Sequence, residues 1–120
     1  MRNQPKYNFF KNSSYALQGL KDIYENEKSF KIELAIILPL LVVQIFLNLS
    51  LEGHLILVIS LFGIIITECI NSGIERCVDL ACKEQNLLAK KAKDAGAAAV
   101  FLSIGVASLV WIIVILKLIF

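Results

Sequence analysis

The sequence lacks the residues from which small zinc-binding and disulfide-stabilised domains are built. Its single histidine, His54, cannot form a zinc site alone, and there is no Cys-x-x-Cys pair. The three cysteines, Cys69, Cys77 and Cys82, lie in or just after one apolar segment, and an odd number so placed argues against a disulfide framework. We therefore interpret them as small apolar packing residues.

The standard nucleotide-binding and nucleophile motifs are also missing. The chain has no G-x-x-x-x-G-K-[ST] phosphate loop, no G-x-G-x-x-G, no H-R-D or D-F-G set and no G-x-S-x-G elbow. Phosphoryl transfer does not require those motifs. It requires in-line geometry, metal ions that neutralise phosphate charge, and a group that orients or deprotonates the acceptor hydroxyl. With a net charge of only +2, no nucleic-acid partner is expected.

The composition is that of a helical membrane protein. Of 120 residues 58% are hydrophobic, and the mean hydropathy is +0.73, which is too high for an ordinary soluble domain. We expect one domain over residues 1–120, with any chemistry built from membrane spans and their short flanks. The first thirty residues are polar and mixed in charge, so no cleavable signal peptide is evident.

Hydrophobic periodicity predicts an all-α protein with three transmembrane helices and an N-terminal amphipathic surface helix. Residues 1–32 form the amphipathic leader, in which apolar residues recur at helical spacing; the alternative is a soluble helix that packs on the bundle. The predicted membrane helices cover residues 34–50, 55–79 and 95–117, and the second continues past its apolar part into water. Pro39 in the first is tolerated in a membrane helix.

The distribution of Lys and Arg predicts the topology. Basic residues occur in the leader and in the connector between the second and third spans, whereas the turn after the first span has none. The positive-inside rule then places the N-terminus and the second connector in the cytoplasm. On the third span Ala95, Ala99, Ser103 and Ala107 form a stripe of small residues, which favours either oligomerisation or close packing within the chain.

Glu68 is the most informative residue, because it ends an otherwise apolar run. Positions 68, 71, 72, 75 and 79 fall on one helical face at about 100° per residue, and they carry Glu68, Asn71, Ser72, Glu75 and Asp79. A carboxylate at membrane depth is costly and usually marks a functional site, although Glu68 alone is also compatible with a packing role. Carboxylates at this position suit magnesium binding and proton abstraction from a lipid.

This pattern, Glu68-x-x-Asn71-Ser72-x-x-Glu75-x-x-x-Asp79, resembles the signature of the small bacterial diacylglycerol kinases. The blocks Ala92–Val100, Tyr15-x-x-x-Gly19 and Asn26–Phe30 are similar to the family in order and spacing, so the resemblance covers nearly the whole chain. It implies a homotrimer in the bacterial inner membrane with active sites shared between chains. The implied reaction uses ATP, diacylglycerol and Mg²⁺ to form phosphatidic acid.

The resemblance also implies a role for each matching residue. Glu68 would be the general base, Asn71 would support it, and Glu27 and Glu75 would bind metal. The residues that contact the nucleotide would be Tyr15, Glu27, Glu75, Glu84, Asn86, Lys93 and Asp94. The lipid would be flanked by Ser29, Phe30, Glu33, His54, Glu68, Ala97 and Trp111.

The chain departs from the family pattern at three places. Asn8 stands where the family has Arg, Gln85-Asn86 where it often has Tyr-His, and Ala97 where it often has Ser. Undecaprenol kinase, from the same superfamily, is the closest alternative function. A non-enzymatic membrane oligomer or ion-conducting assembly is the alternative of another class, and it is disfavoured because the polar residues cluster at one end of the span.

Overall fold

The computed structural model describes residues 6–120, which form four helices. They are α1 (Phe9–Asn26), α2 (Lys28–Ile45), α3 (Leu51–Ala81) and α4 (Leu87–Ile119). Residues 6–120 contain no strand, so the described part of the chain is all-helical, as the sequence predicts.

Helix α1 begins at an asparagine cap and leaves its apolar face uncovered. Asn8 Oδ1 accepts hydrogen bonds from the backbone N–H groups of Phe10 and Lys11, at 3.0 and 3.2 Å. Only Ile23 is buried, near the C-terminal end of the helix, while Phe10 is 82% exposed. Most of this apolar face therefore does not pack on the chain itself, and its location at a membrane surface remains a prediction.

The break between α1 and α2 falls at Glu27, which has an extended backbone with φ −110° and ψ 109°. Helix α2 begins at Lys28, so residues 28–32, which sequence analysis placed in the leader, belong to the helix of the first expected span. The helix continues through Pro39 and ends at Ile45. The break sets the Glu27 side chain at the corner between the two helices.

Helix α3 starts earlier than expected because Ser50 caps it. Ser50 Oγ accepts a hydrogen bond from the Gly53 N–H at 3.2 Å, so His54 lies in the first turn of the helix and not in a loop. The helix runs to Ala81, which confirms that it continues past Asp79. Its 31 residues extend for about 46 Å, beyond the roughly 30 Å of a hydrocarbon core.

Two helices, α3 and α4, are long and apolar enough to cross a membrane. Helix α2 has only 18 residues, and Lys28, Lys31 and Glu33 lie in its first two turns. Those charges lower the hydropathy of α2 as a whole, although Leu34–Ile45 is apolar apart from Gln44. The first of the three expected spans therefore remains a prediction.

The core lies between α3 and α4, which pair most extensively, and α2 packs on α3. It contains Ile37, Leu61, Ile64 and Ala107, with Trp111 packed against it. The small residues of α4 divide between two faces. Ser103 and Ala107 face α3, where Ser103 Oγ is 2.9 Å from Thr67 Oγ1, while Ala95 and Ala99 are exposed.

Candidate functional site

The predicted polar face of α3 forms one side of a pocket. The other sides come from the α1–α2 junction, the start of α2, and α4. This carboxylate pocket, as we call it, has a volume of about 150 Å³ and is lined by Glu27, Ser29, Glu68, Asn71, Ser72, Glu75, Ala97 and Val100. The α1–α2 junction and the start of α2 supply the first two residues, and α4 supplies the last two. One chain thus brings Glu27, Glu68 and Glu75 together without a partner.

Glu27 is held against α3 by two contacts. Ser72 Oγ donates a hydrogen bond to Glu27 Oε1 at 2.7 Å, and Arg76 Nη2 lies 3.4 Å from the same oxygen. Arg76 also forms an ion pair with Asp22 of α1. Arg76 was not among the predicted site residues. Arg76 lies one helical turn after Ser72, on the polar face of α3. This spacing in the sequence could have indicated that it belongs to the site.

Glu68 is only 8% exposed, and a second carboxyl group, that of Glu33, lies beside it. Glu33 lies within hydrogen-bonding reach of Glu68, and Glu33 Oε2 is buried with no donor among residues 6–120. Burial, together with the neighbouring Glu68 carboxyl group, raises the pKa of Glu33 to about 7. Glu33 therefore belongs to the surroundings of Glu68, which the sequence pattern did not indicate.

Asn71 lies between Glu68 and Glu75 on the polar face of α3. Its Nδ2 donates to Glu75 Oε1 at 3.2 Å, whereas its Oδ1 is buried with no hydrogen-bond partner in the described residues. Glu75 therefore has one oxygen, Oε1, in this hydrogen bond, and its side chain lines the carboxylate pocket. Asn71 lies one turn after Glu68, as the sequence pattern requires for a supporting role.

The donor set of the pocket is suited to a hard cation. Within residues 6–120 no three acidic, histidine or cysteine side chains are grouped closely enough to hold a metal by themselves. Glu27 and Glu75 nevertheless line the same pocket. Magnesium is usually bound by one or two carboxylates together with water and substrate phosphates, so two carboxylates fit that mode of binding.

A larger cavity lies one helical turn further along, where α3 and α4 are connected. This connector cavity has a volume of about 760 Å³, and its polar lining includes Asp79, Lys83, Glu84, Asn86, Lys90, Lys93 and Asp94. Lys93 Nζ lies 2.5 Å from Asp79 Oδ1, and Lys90 Nζ lies 2.6 Å from Asp94 Oδ2. The hydrogen bond to Asp79 raises the pKa of Lys93, which precedes the charge-free part of α4. Lys93 therefore stays cationic at neutral pH.

Asn86 and Tyr15, both predicted to contact a nucleotide, differ in their surroundings, because Asn86 lines the connector cavity and Tyr15 does not. Asn86 caps α4, since its Oδ1 accepts from the Leu88 and Ala89 N–H groups at 2.8 and 3.3 Å. The capping pattern, an asparagine before a leucine-rich helix, was readable in the sequence. Tyr15 is 58% exposed on α1 and lines neither the carboxylate pocket nor the connector cavity.

The residues predicted to flank a lipid are spread along the bundle. Ser29 and Ala97 line the carboxylate pocket, and Phe30 is buried beside it at the start of α2. His54 and Trp111 line neither that pocket nor the connector cavity. His54 Nδ1 is 2.7 Å from Oε1 of Gln44, a buried polar residue of α2, and Trp111 Nε1 donates to the Leu57 carbonyl at 3.4 Å. Both contacts lie in the half of α3 that precedes Glu68.

Comparison with known proteins points to one family of kinases. The family model described as prokaryotic diacylglycerol kinase matches residues 14–115. The diacylglycerol kinase of Escherichia coli K12 is 34% identical over 103 residues, which cover 86% of this chain and 84% of the relative. The diacylglycerol kinase of Haemophilus influenzae is 31% identical over 99 residues, covering 82% and 84%.

A relative with a different name matches over a shorter range. The undecaprenol kinase of Bacillus subtilis is 33% identical over 92 residues, which cover 77% of this chain and 75% of the relative. The matched range of the family model includes the whole carboxylate pocket and the whole connector cavity. The chain therefore belongs to the prokaryotic diacylglycerol kinase family of membrane enzymes.

Proposed function

We propose that the protein transfers the γ-phosphoryl group of ATP to the hydroxyl group of diacylglycerol, giving phosphatidic acid and ADP. The observation that carries this proposal is the pairing of the carboxylate pocket with the connector cavity, one helical turn apart on α3 and α4. A small acidic pocket at the end of an apolar span suits a lipid hydroxyl, and a large polar cavity beside it suits a nucleotide.

Glu68 is the proposed general base. It is buried at the end of the apolar part of α3 and lines the carboxylate pocket, which we propose receives the lipid hydroxyl. As the hydroxyl oxygen attacks the phosphorus, Glu68 accepts the proton. Asn71, which lies on the same face, orients the neighbouring Glu75 and supports the polar cluster around the base.

Glu27 and Glu75 are the proposed ligands of Mg²⁺. Both contacts made by Glu27 to Ser72 and Arg76 use Oε1, which leaves Oε2 as the oxygen for a cation. When bound with ATP, Mg²⁺ would neutralise charge on the phosphate oxygens. Ser72 and Arg76 hold the Glu27 carboxylate in place for this purpose.

The connector cavity is the proposed nucleotide site, with Glu84, Asn86, Lys93 and Asp94 as contacts. Lys93 suits a phosphate oxygen as a point charge, but it is paired with Asp79 in the structure. Binding of the nucleotide therefore requires Lys93 to share or exchange this partner. Tyr15, on the exposed face of α1, is proposed to reach the nucleotide from the membrane surface.

The proposed lipid contacts run from the carboxylate pocket along the apolar surface. Ser29, Phe30 and Ala97 flank the hydroxyl end, while His54 and Trp111 flank the chain region further along α3. Glu33 lies beside Glu68 and is proposed to flank the lipid there. The exposed apolar faces of α2, α3 and α4 are compatible with lipid chains alongside them.

We place the enzyme in the bacterial inner membrane as a homotrimer with three spans per chain. In this arrangement α2 is the first span, and the positive-inside rule puts the connector cavity in the cytoplasm, where ATP is found. An apolar segment as short as Leu34–Ile45 spans with help from flanking residues or local thinning. The exposed small residues of α4, Ala95 and Ala99, suit close approach of a second chain.

The substrate assay that tests this proposal offers two lipids. Purified protein in mixed micelles receives labelled ATP, Mg²⁺ and either diacylglycerol or undecaprenol, and the lipid product is identified. Labelled phosphatidic acid as the main product supports the proposal. Undecaprenyl phosphate as the main product would favour the alternative that the Bacillus subtilis relative suggests. No labelled lipid with either acceptor would contradict a lipid kinase.

A further inference from the structure

Gly96 is the point at which α4 comes closest to the polar face of α3. It is buried, and a Cβ atom at this position would overlap Asn71 Oδ1 and lie only 3.2 Å from Asn71 Cγ. The next neighbour, Ile74 Cδ1, would be 3.6 Å away, an ordinary contact distance. Because Gly96 has no side chain, the Asn71 amide can occupy this space.

The Asn71 amide makes one hydrogen bond and packs beside Gly96. Its Nδ2 donates to Glu75, but its Oδ1 is buried and has no donor within residues 6–120. Packing beside Gly96 is therefore the contact that this oxygen makes in place of a hydrogen bond. An amide that rotated away from this position would lose its hydrogen bond to Glu75.

We propose that Gly96 is a positioning residue for the carboxylate pocket, acting through Asn71 on Glu75. A methyl group at position 96 meets the tip of one side chain and not the backbone of α3, so the two helices need not separate. The Asn71 side chain rotates instead, and Glu75 loses its fixed orientation. This inference rests on the proposed function, in which Glu75 binds a divalent cation with the nucleotide.

The test compares Gly96→Ala with Gly105→Ala. Both residues lie in α4, and both substitutions raise helix propensity alike, but a Cβ at Gly105 meets nothing within 4 Å. Gly96→Ala is expected to lower kcat by roughly 10- to 100-fold, in line with the cost of a misplaced group at an active site. It is also expected to weaken binding of Mn²⁺ with a non-hydrolysable ATP analogue, measured by electron paramagnetic resonance. Gly105→Ala should match the wild type in both measurements.

A double-mutant cycle shows whether the effect passes through Asn71. In the Asn71→Ala background the methyl group has room, so adding Gly96→Ala should weaken Mn²⁺ binding no further. If Gly96→Ala alone does not assemble, the double variant should assemble and should bind Mn²⁺ as Asn71→Ala does.

Three results would overturn the inference. They are wild-type Mn²⁺ binding and kcat in Gly96→Ala, an equal loss of Mn²⁺ binding in both backgrounds, and a double variant that also fails to assemble. These readouts are distinct from the proposed function, because wild-type protein that phosphorylates no lipid would still report on Mn²⁺ binding. A lipid-inactive wild type would reject the kinase proposal, and the binding comparison would decide on Gly96 separately.

Discussion

At the scale of single residues, the carboxyl groups of the pocket have different surroundings and hence different expected roles. Glu27 contacts a hydroxyl and a guanidinium, Glu75 accepts from an amide, and Glu68 lies against another carboxyl group, that of Glu33. The sequence pattern predicted that these residues share one region. It did not predict the contact of Glu33 with Glu68, because that contact depends on how α2 packs on α3.

Glu75→Gln should raise the Mg²⁺ concentration needed for half-maximal activity. The amide keeps the volume of the side chain but removes an anionic oxygen, which a hard cation prefers. Mg²⁺ titration of the reaction rate measures the effect, with Glu52→Gln as the control because Glu52 lies in the first turn of α3, far along the helix. An unchanged Mg²⁺ requirement in Glu75→Gln would mean that the ion is held by ATP alone.

Glu33→Gln should keep most of the activity, whereas Glu33→Ala should lose about tenfold or more. Because the pKa of Glu33 is raised to about 7, this carboxyl group can act as a donor to Glu68 near neutral pH. The amide N–H of glutamine can replace that donor, while alanine leaves the buried Glu68 without it. A lost hydrogen bond to a charged group typically costs about 1.5–3 kcal/mol. Initial rates at saturating substrates measure the difference. Equal losses in the two variants would show that Glu33 acts as a carboxylate and not as a donor.

At the scale of elements, Arg76 fastens the α1–α2 junction to α3. Its guanidinium contacts Asp22 of α1 and Glu27 of the junction, and Lys31 of α2 lies over the Tyr24 ring at 5.5 Å. Exposed ion pairs contribute only about 0–1 kcal/mol each, so these contacts orient the junction more than they stabilise the whole protein.

Arg76→Gln should therefore loosen the junction without changing the melting temperature much. Cleavage by a glutamate-specific protease at Glu25 and Glu27 should become faster, because the junction opens more often. The matched control is Lys21→Gln, which removes an exposed ion pair within α1 and leaves the junction contacts in place. Cleavage of Arg76→Gln at the wild-type rate would argue that Ser72 alone holds Glu27.

The helices and their polar face were largely predictable, and their ends were less so. Periodicity located Glu68, Asn71, Ser72, Glu75 and Asp79 on one face. The first four line the carboxylate pocket, whereas Asp79 lines the connector cavity. The break at Glu27 was not predictable, since no Pro or Gly marks it and its local helix propensity is ordinary. At the break, Glu27 contacts Ser72 and Arg76 of α3. These contacts are between residues far apart in the sequence, so local sequence signals do not reveal them.

At the scale of the whole molecule, one chain supplies every carboxylate of the pocket. The family resemblance implies active sites shared between chains, but Glu27, Glu68 and Glu75 meet within one chain here. The nucleotide site differs in this respect, because Tyr15 lines neither the carboxylate pocket nor the connector cavity of its own chain. A neighbouring chain could therefore supply this residue to the nucleotide site. The trimer proposed above is compatible with both arrangements.

Mixing two inactive variants distinguishes the arrangements for the carboxylates. Glu27→Gln and Glu68→Gln subunits, dissociated and reassembled together, should show no recovery, because every chain would lack one group of its own pocket. The control mixes Glu68→Gln with wild type and should give activity in proportion to the wild-type fraction. Recovery that depends on the mixing ratio would show that Glu27 and Glu68 of one site come from different chains.

The central claim is that Glu68 removes the proton from a lipid hydroxyl during phosphoryl transfer. The most direct measurement is the rate of labelled phosphatidic acid formation by Glu68→Gln, alongside its oligomeric state and melting temperature. We expect a fall in turnover of about 10²–10⁴-fold, the usual cost of losing a general base, with assembly and melting unchanged. A folded Glu68→Gln protein that turns over at a near-normal rate would contradict the account.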